Sequence, residues 1–174
     1  VLGITEAGSW NNKKYRHILP ASQASRNLID AGFKEPIQKA VAATEGRVHR
    51  GFAHLNSSQA LAFNLFVPLS FTNSLDVLLN LLGEEDTNLS GTPEHVEDEA
   101  EGTNFDYFIH GKDNKFFFEV KYTEDRFAST KDDESHREKY HRVYEPRIGK
   151  IADLSRSEFF RNYQLWRNLI YIDR

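Results

Sequence analysis

Apolar side chains recur along this chain first at helical spacing and later at strand spacing. Residues 1–20 are mostly polar and read as an N-terminal arm. ASQASRNLIDA (21–31) follows as a helix-compatible run with Gly32 as its stop. A second short helix is predicted over 36–44, with Pro36 in its first turn. In HLNSSQALAFNLFVPLS, Asn56 or Ser57 caps a helix that carries Leu61, Leu65 and Phe66 at helical spacing and is expected to stop at Pro68. Asn73 or Ser74 caps the next one, SLDVLLNLLG, which ends at Gly83.

The period then changes from near four to two. After an acidic stretch with a short strand expected around 95–97, NFDYFIH and KFFFEVKYT form a strand pair around the turn residues GKDN. Beyond it, 129–145 reads as a solvated charged helix that Pro146 breaks. Residues 153–169 read as one amphipathic helix with Phe159, Phe160, Tyr163 and Trp166, and LIYID as a last strand. The expected division is an N-terminal arm and helical extension, 1–50, ahead of a compact α/β domain, 51–174.

Charge sharpens this picture. Residues 1–83 carry 8 Lys and Arg against 5 Asp and Glu; 84–125 carry 3 against 13; 126–174 carry 11 against 8. An acidic centre between basic flanks suits a cation site within a phosphate-binding surface, and equally a solvated acidic loop. No apolar run reaches the ~20 residues of a membrane span, and the first residues lack the order of a secretory signal. With no cysteine in the chain, a cytoplasmic location is the expectation, and disulfide and thiolate-metal frameworks are excluded. His49 and His54, like His136 and His141, are five apart, off helical register, and no H-E-x-x-H string occurs, so zinc is not expected. Nor is there a phosphate-binding G-x-x-x-x-G-K-[ST] loop or a G-x-S-x-G elbow.

The chemistry sits on the hairpin. Glu119 and Lys121 share one strand face by alternation. With Asp113-Asn114 as the loop, Asp106 stands opposite Lys121; with all of Gly111–Asn114 as the loop, it stands opposite Glu119. Either way it joins their face, with Cβ separations of roughly 4.5–8 Å. Two carboxylates so close repel each other unless a hard divalent cation lies between them, and oxygen ligands suit Mg²⁺ or Mn²⁺. An adjacent ammonium can steer a phosphate or orient an attacking water. The same three residues are also what an inert, salt-bridged surface hairpin would show.

NFD followed by EVK after a short turn resembles the bipartite core of PD-(D/E)XK, or restriction-endonuclease-like, nucleases. The strings HLNSSQALAFNLFVPL, EGTNFDYFI, FFFEVKYTE and YQLWRNL are similar to a bacterial restriction-endonuclease-like family over residues 49–170. That resemblance implies an α-β-β-β-α-β core with a central mixed sheet flanked by helices, and a Mg²⁺-dependent endonuclease (Mn²⁺ substituting) acting on DNA. It implies Asp106 and Glu119 as metal ligands, the Val120 backbone carbonyl as a further ligand, and Lys121 as the catalytic lysine. Where the superfamily often has a metal-binding Glu on its first core helix this chain has Gln59, and Glu101 is an alternative; Phe105 replaces the name-giving Pro. Gln164 and Arg167 resemble nucleic-acid-contacting positions on the helix after the E-x-K strand, though surface residues of an amphipathic helix look the same; Arg126 and Lys131 are candidate phosphate contacts. Cutting both strands favours a homodimer. An inactive nucleic-acid-binding module of this fold and a non-enzymatic interaction protein are the rival readings.

Overall fold

The computed structural model describes residues 6–29, 31–44, 46–98 and 103–172; of Asp98 it describes the backbone alone. Strands β1 (Gly8–Trp10) and β2 (Lys13–Tyr15) form an antiparallel hairpin over Asn11-Asn12, both with positive φ, as a two-residue turn matched to strand twist requires. A 3₁₀ turn over Ala21–Asn27 replaces the α-helix expected over 21–31, and the chain is extended again at Leu28. Helices α1 (Lys34–Ala42), α2 (Ser58–Phe71) and α3 (Leu75–Leu81) follow, then strands β3 (Ser90–Asp98), β4 (Thr103–His110) and β5 (Lys115–Phe118) in sheet order β3-β4-β5. The last stretch holds α4 (Glu134–Lys139), a π-helical turn (Tyr140–Tyr144), α5 (Glu145–Ile148), α6 (Arg156–Arg161) and α7 (Tyr163–Ile172). The class is mixed α/β, as expected.

Two compact units make up the chain: Val1–His95 with Phe105–Thr123, and Val96–Asn104 with Glu124–Arg174. In the first, Leu28 and Ile37 pack with Phe52, Ala60, Phe63 and Val67. On the neighbouring side of α2, Ala62 and Phe66 pack with Leu75 and Leu79 of α3 and Tyr107 and Ile109 of β4. Helix α2 thus buries one broad face, Gln59, Ala60, Ala62, Phe63, Phe66 and Val67, while Leu65, expected inside, is exposed. That burial carries the helix through Pro68 to Phe71, where a stop was expected. Pro68 lacks an N–H but its carbonyl still accepts from Thr72 at 3.0 Å, and Phe66 and Val67 are buried on either side of the core. In the second unit, Tyr140, Tyr144 and Ile148, spaced by four, bury with Phe159, Phe160, Ile170 and Tyr171. The run read as a solvated helix therefore has an apolar stripe beneath its charges.

Three further expectations change. The single helix over 153–169 is two: a capping box between Ser155 and Glu158 starts α6, and Asn162 interrupts it before α7. Of LIYID, expected as a strand, residues 169–172 belong to α7, and Asp173 lies outside the described residues. Strand β5 ends at Phe118 rather than continuing through Glu119 and Lys121. Among the described residues, no single helix is long and apolar enough to cross a membrane.

The hairpin register matters most. Tyr107 pairs with Phe118 and His110 with Lys115, so all of Gly111–Asn114 is loop and Asp106 belongs opposite Glu119. The loop is held from outside the hairpin. The Asp86 carboxylate accepts from the backbone N–H of Thr87 (2.6 Å), Lys112 (3.0 Å) and Asn114 (2.8 Å), and Lys112 N–H also reaches the Thr87 carbonyl at 2.8 Å. Against a desolvation that pushes it up, the N–H groups of Thr87, Asn114 and Asp113 and the Asn114 side-chain amide hold the Asp86 carboxyl below its usual range. A Cβ on Gly111 would run into that carboxylate. Gly111→Ala is expected to cost about 1–3 kcal/mol in urea unfolding. Combined with Asp86→Ala it should cost less than the sum of the two single changes; strict additivity would show that Asp86 does not anchor the turn.

Candidate active site

Strand alternation sends Tyr107, Ile109, Phe116, Phe118 and Val120 into the α2–α3 cluster and leaves Asp106, Phe108, Phe117 and Glu119 for the opposite face. His95 stacks on Phe108 there, ring centroids 4.1 Å apart. Past Phe118 the ladder gives way to a side chain: the Val120 N–H donates to Asp106 Oδ2 at 2.6 Å. This bond ties the chain bearing Glu119 and Lys121 to the carboxylate on β4. Lys121 Nζ pairs with Glu119 Oε1 at 2.8 Å, both side chains being largely shielded from solvent.

Glu94, a residue to which the sequence assigned no role, joins this group. It is 2% exposed, and Gln59 Nε2 donates to its Oε1 at 2.8 Å. Its backbone is left-handed, φ 49°, within β3, a conformation that costs an ordinary L residue on the order of 1 kcal/mol. A buried acid in a strained strand position is a site feature with little sequence signal. PEHVED reads as one acidic stretch, and nothing in it separates the buried carboxylate from solvated ones.

These charges converge on Asp106. Burial first, then the Glu119 carboxylate, push its carboxyl up to about 7; the Val120 N–H opposes the rise, Glu94 adds to it, and Lys121 opposes it. The oxygen-only donor set fits a hard divalent cation. Among the described residues, no group of three His, Asp or Glu side chains is gathered as a ready metal cage. Mg²⁺ does not require one, since it keeps several waters and is commonly bound through one or two carboxylates.

Of the other expected site residues, Gln59 lies at the group and braces it. Its Oε1 accepts from the His49 N–H at 2.8 Å while Nε2 donates to the Arg47 carbonyl at 3.0 Å and to Glu94. Gln59→Ala would strip the buried Glu94 carboxylate and the backbone of Arg47 and His49 of this partner, and a loss of about 1–3 kcal/mol in urea unfolding is expected. A change below 0.5 kcal/mol would show the brace to be incidental. Glu101 lies outside the described residues.

Gln164, Arg167, Arg126 and Lys131 all belong to the second unit. Gln164 is engaged locally: its N–H donates to the Ala128 carbonyl at 3.0 Å and its Oε1 accepts from the Ala128 N–H at 3.3 Å. The Arg167 guanidinium lies 5.4 Å from the centre of the Tyr163 ring, and Arg126 and Lys131 are exposed.

A family described as Restriction Endonuclease associating with ARP matches residues 2–174, nearly the whole chain. No curated protein and no solved structure matches it.

Proposed function

This chain belongs to the family of restriction endonucleases associating with ARP, and from that premise we propose that it is a Mg²⁺-dependent endonuclease hydrolysing DNA phosphodiester bonds. Membership supports the nuclease-like role. The observation that supports the chemistry is the arrangement itself: Asp106, bound by the Val120 N–H at 2.6 Å, stands opposite Glu119, which pairs with Lys121 at 2.8 Å; burial and Glu119 push the Asp106 carboxyl up to about 7. Strongly shifted acids grouped with a cation mark working sites more often than inert surface pairs.

In this reading Asp106, Glu119 and the Val120 carbonyl would hold the Mg²⁺, with Mn²⁺ as a substitute. When bound, the ion polarises a phosphoryl oxygen and makes a coordinated water acidic enough to attack near neutral pH. The protein supplies the rest. Asp106 gives up its proton to become a ligand, and the Val120 N–H fixes one of its oxygens while the ligand set forms. Lys121, held by Glu119, brings an ammonium to the negative charge that builds on the phosphate. Glu94, braced by Gln59, adds to the rise of the Asp106 carboxyl.

The 2.8 Å Glu119–Lys121 pair favours one other reading, an inert salt-bridged hairpin. Nicking of supercoiled plasmid separates the two. The nuclease converts it to open circle in Mg²⁺ or Mn²⁺ and leaves it intact in EDTA. Failure to nick in either metal, together with no heat of Mn²⁺ binding by calorimetry, would establish the inert hairpin.

A further inference from the structure

The sequence points to basic residues after 125 for DNA contacts, yet a second basic surface lies in the same unit as Asp106. From Ala7 to Ile29, and again from Gly46 to Leu75, the chain contains no Asp or Glu. Into these stretches fall Lys13, Lys14 and Arg16 on and after the β1–β2 hairpin, and Arg47 and Arg50 in the loop before α2, all exposed. The fold brings the two stretches together. Leu19 N–H donates to the Ala53 carbonyl and Leu55 N–H to the His17 carbonyl, at 2.9 and 2.8 Å, and Ile18 bridges to His54.

Trp10 and Arg50 meet across this seam. The Arg50 guanidinium lies 4.5 Å from the Trp10 ring centroid, and the Trp10 ring meets His54 edge-on at 4.8 Å. Stacking holds a guanidinium flat while leaving its N–H edge for a phosphate. Trp10, Lys14, Arg50 and His54 line one recess of about 450 Å³, with Glu6 its one acidic lining residue.

One side chain links this surface to the acidic centre. Gln59 binds the backbone of Arg47 and His49 on one side and the Glu94 carboxylate on the other. A basic loop and a metal-fitting acid group therefore share a brace.

We propose that the β1–β2 hairpin and the Arg47–His54 loop form a DNA-backbone grip that delivers the strand to the acidic centre, Lys13, Lys14 and Arg50 being its phosphate contacts. The proposal deepens the nuclease reading and rests on it. The grip recognises regularly spaced phosphates and not base edges, so its binding is sequence-tolerant and steeply salt-dependent.

The test is fluorescence anisotropy of the full chain with a short labelled duplex in EDTA, between about 50 and about 200 mM salt. Lys13→Ser/Lys14→Ser/Arg50→Ser alters exposed positions and should leave the fold intact, as circular dichroism would verify. The triple variant is expected to bind at least about tenfold more weakly, with a log–log salt slope shallower by about 3. A slope equal to wild type overturns the grip, as does the absence of salt-dependent duplex binding by the wild type. Displacement of the duplex by poly-glutamate at equal charge concentration also overturns it, assigning the surface to an acidic protein. Plasmid nicking stands apart from these outcomes. Wild type that nicks with an unchanged slope in the variant keeps the nuclease and loses the grip; patch-dependent binding without nicking does the reverse.

Discussion

Asp106→Asn should abolish metal-dependent nicking, by about 10³-fold or more, while making the metal-free protein more stable at pH 8. The loss follows from removing a charged ligand. The gain follows from the raised carboxyl. Below the unfolded-state value of 3.8 the acid is protonated whether the chain is folded or not, and contributes nothing. Between there and about 7 the folded protein keeps a proton that the unfolded chain has lost, so stability falls as pH rises. Above about 7 the full penalty of an ionised, partly buried, acid-flanked carboxylate persists, at most roughly 4 kcal/mol. The amide is neutral throughout, and its oxygen can still accept from the Val120 N–H. Melting temperatures of wild type and variant should therefore converge near pH 4 and separate toward pH 8. Parallel curves would mean that Asp106 carries no such strain. The same acid predicts that Mn²⁺ binding at pH 6–7 releases a proton, read as a binding enthalpy that varies with the buffer's ionisation heat.

Lys121→Ala should separate binding from chemistry. The carboxylates remain, and removing the ammonium takes away a competitor for Glu119, so Mn²⁺ affinity by calorimetry should stay equal or rise. Nicking should fall by about 10²–10⁴-fold, the usual range for losing a positioned proton-transfer or charge-stabilising group. The Asp106 carboxyl should also move further up, because Lys121 opposes its rise. Lost metal affinity together with lost nicking would give Lys121 a structural part in assembling the ligands. Unchanged nicking would remove it from the chemistry.

Both predictions turn on a small group of residues, and only part of it could be read from the chain. Asp106, Glu119 and Lys121 were legible because acid and amine positions interrupt Phe-rich alternation where apolar residues would have sufficed. Glu94 was not, since its burial depends on a left-handed backbone at one residue of β3 and on an amide from α2, 35 residues away. Gln59 was visible as a candidate ligand, but its bonds to Arg47, His49 and Glu94 are long-range and leave no local pattern.

By itself the sequence determined what depends on neighbours along the chain. Helix α2 follows from its Ser57 cap and apolar spacing, α1 from Pro36 in its first turn and α3 from its apolar run, although Ser74 makes no capping bond; the β4–β5 hairpin follows from β-formers flanking turn residues. It left two registers open for that hairpin, because turn chemistry permits a loop of two or four residues. Asp86, 25 residues before Gly111, chose the longer one by filling the turn with a carboxylate. Tertiary packing likewise carried α2 past Pro68, buried Tyr140 and Tyr144 beneath a charged run, and made 169–172 helical. In each case the deciding term was burial or a hydrogen bond between residues distant in sequence. Such terms are worth more than the local propensities they overrode, and they arise only once the chain has folded.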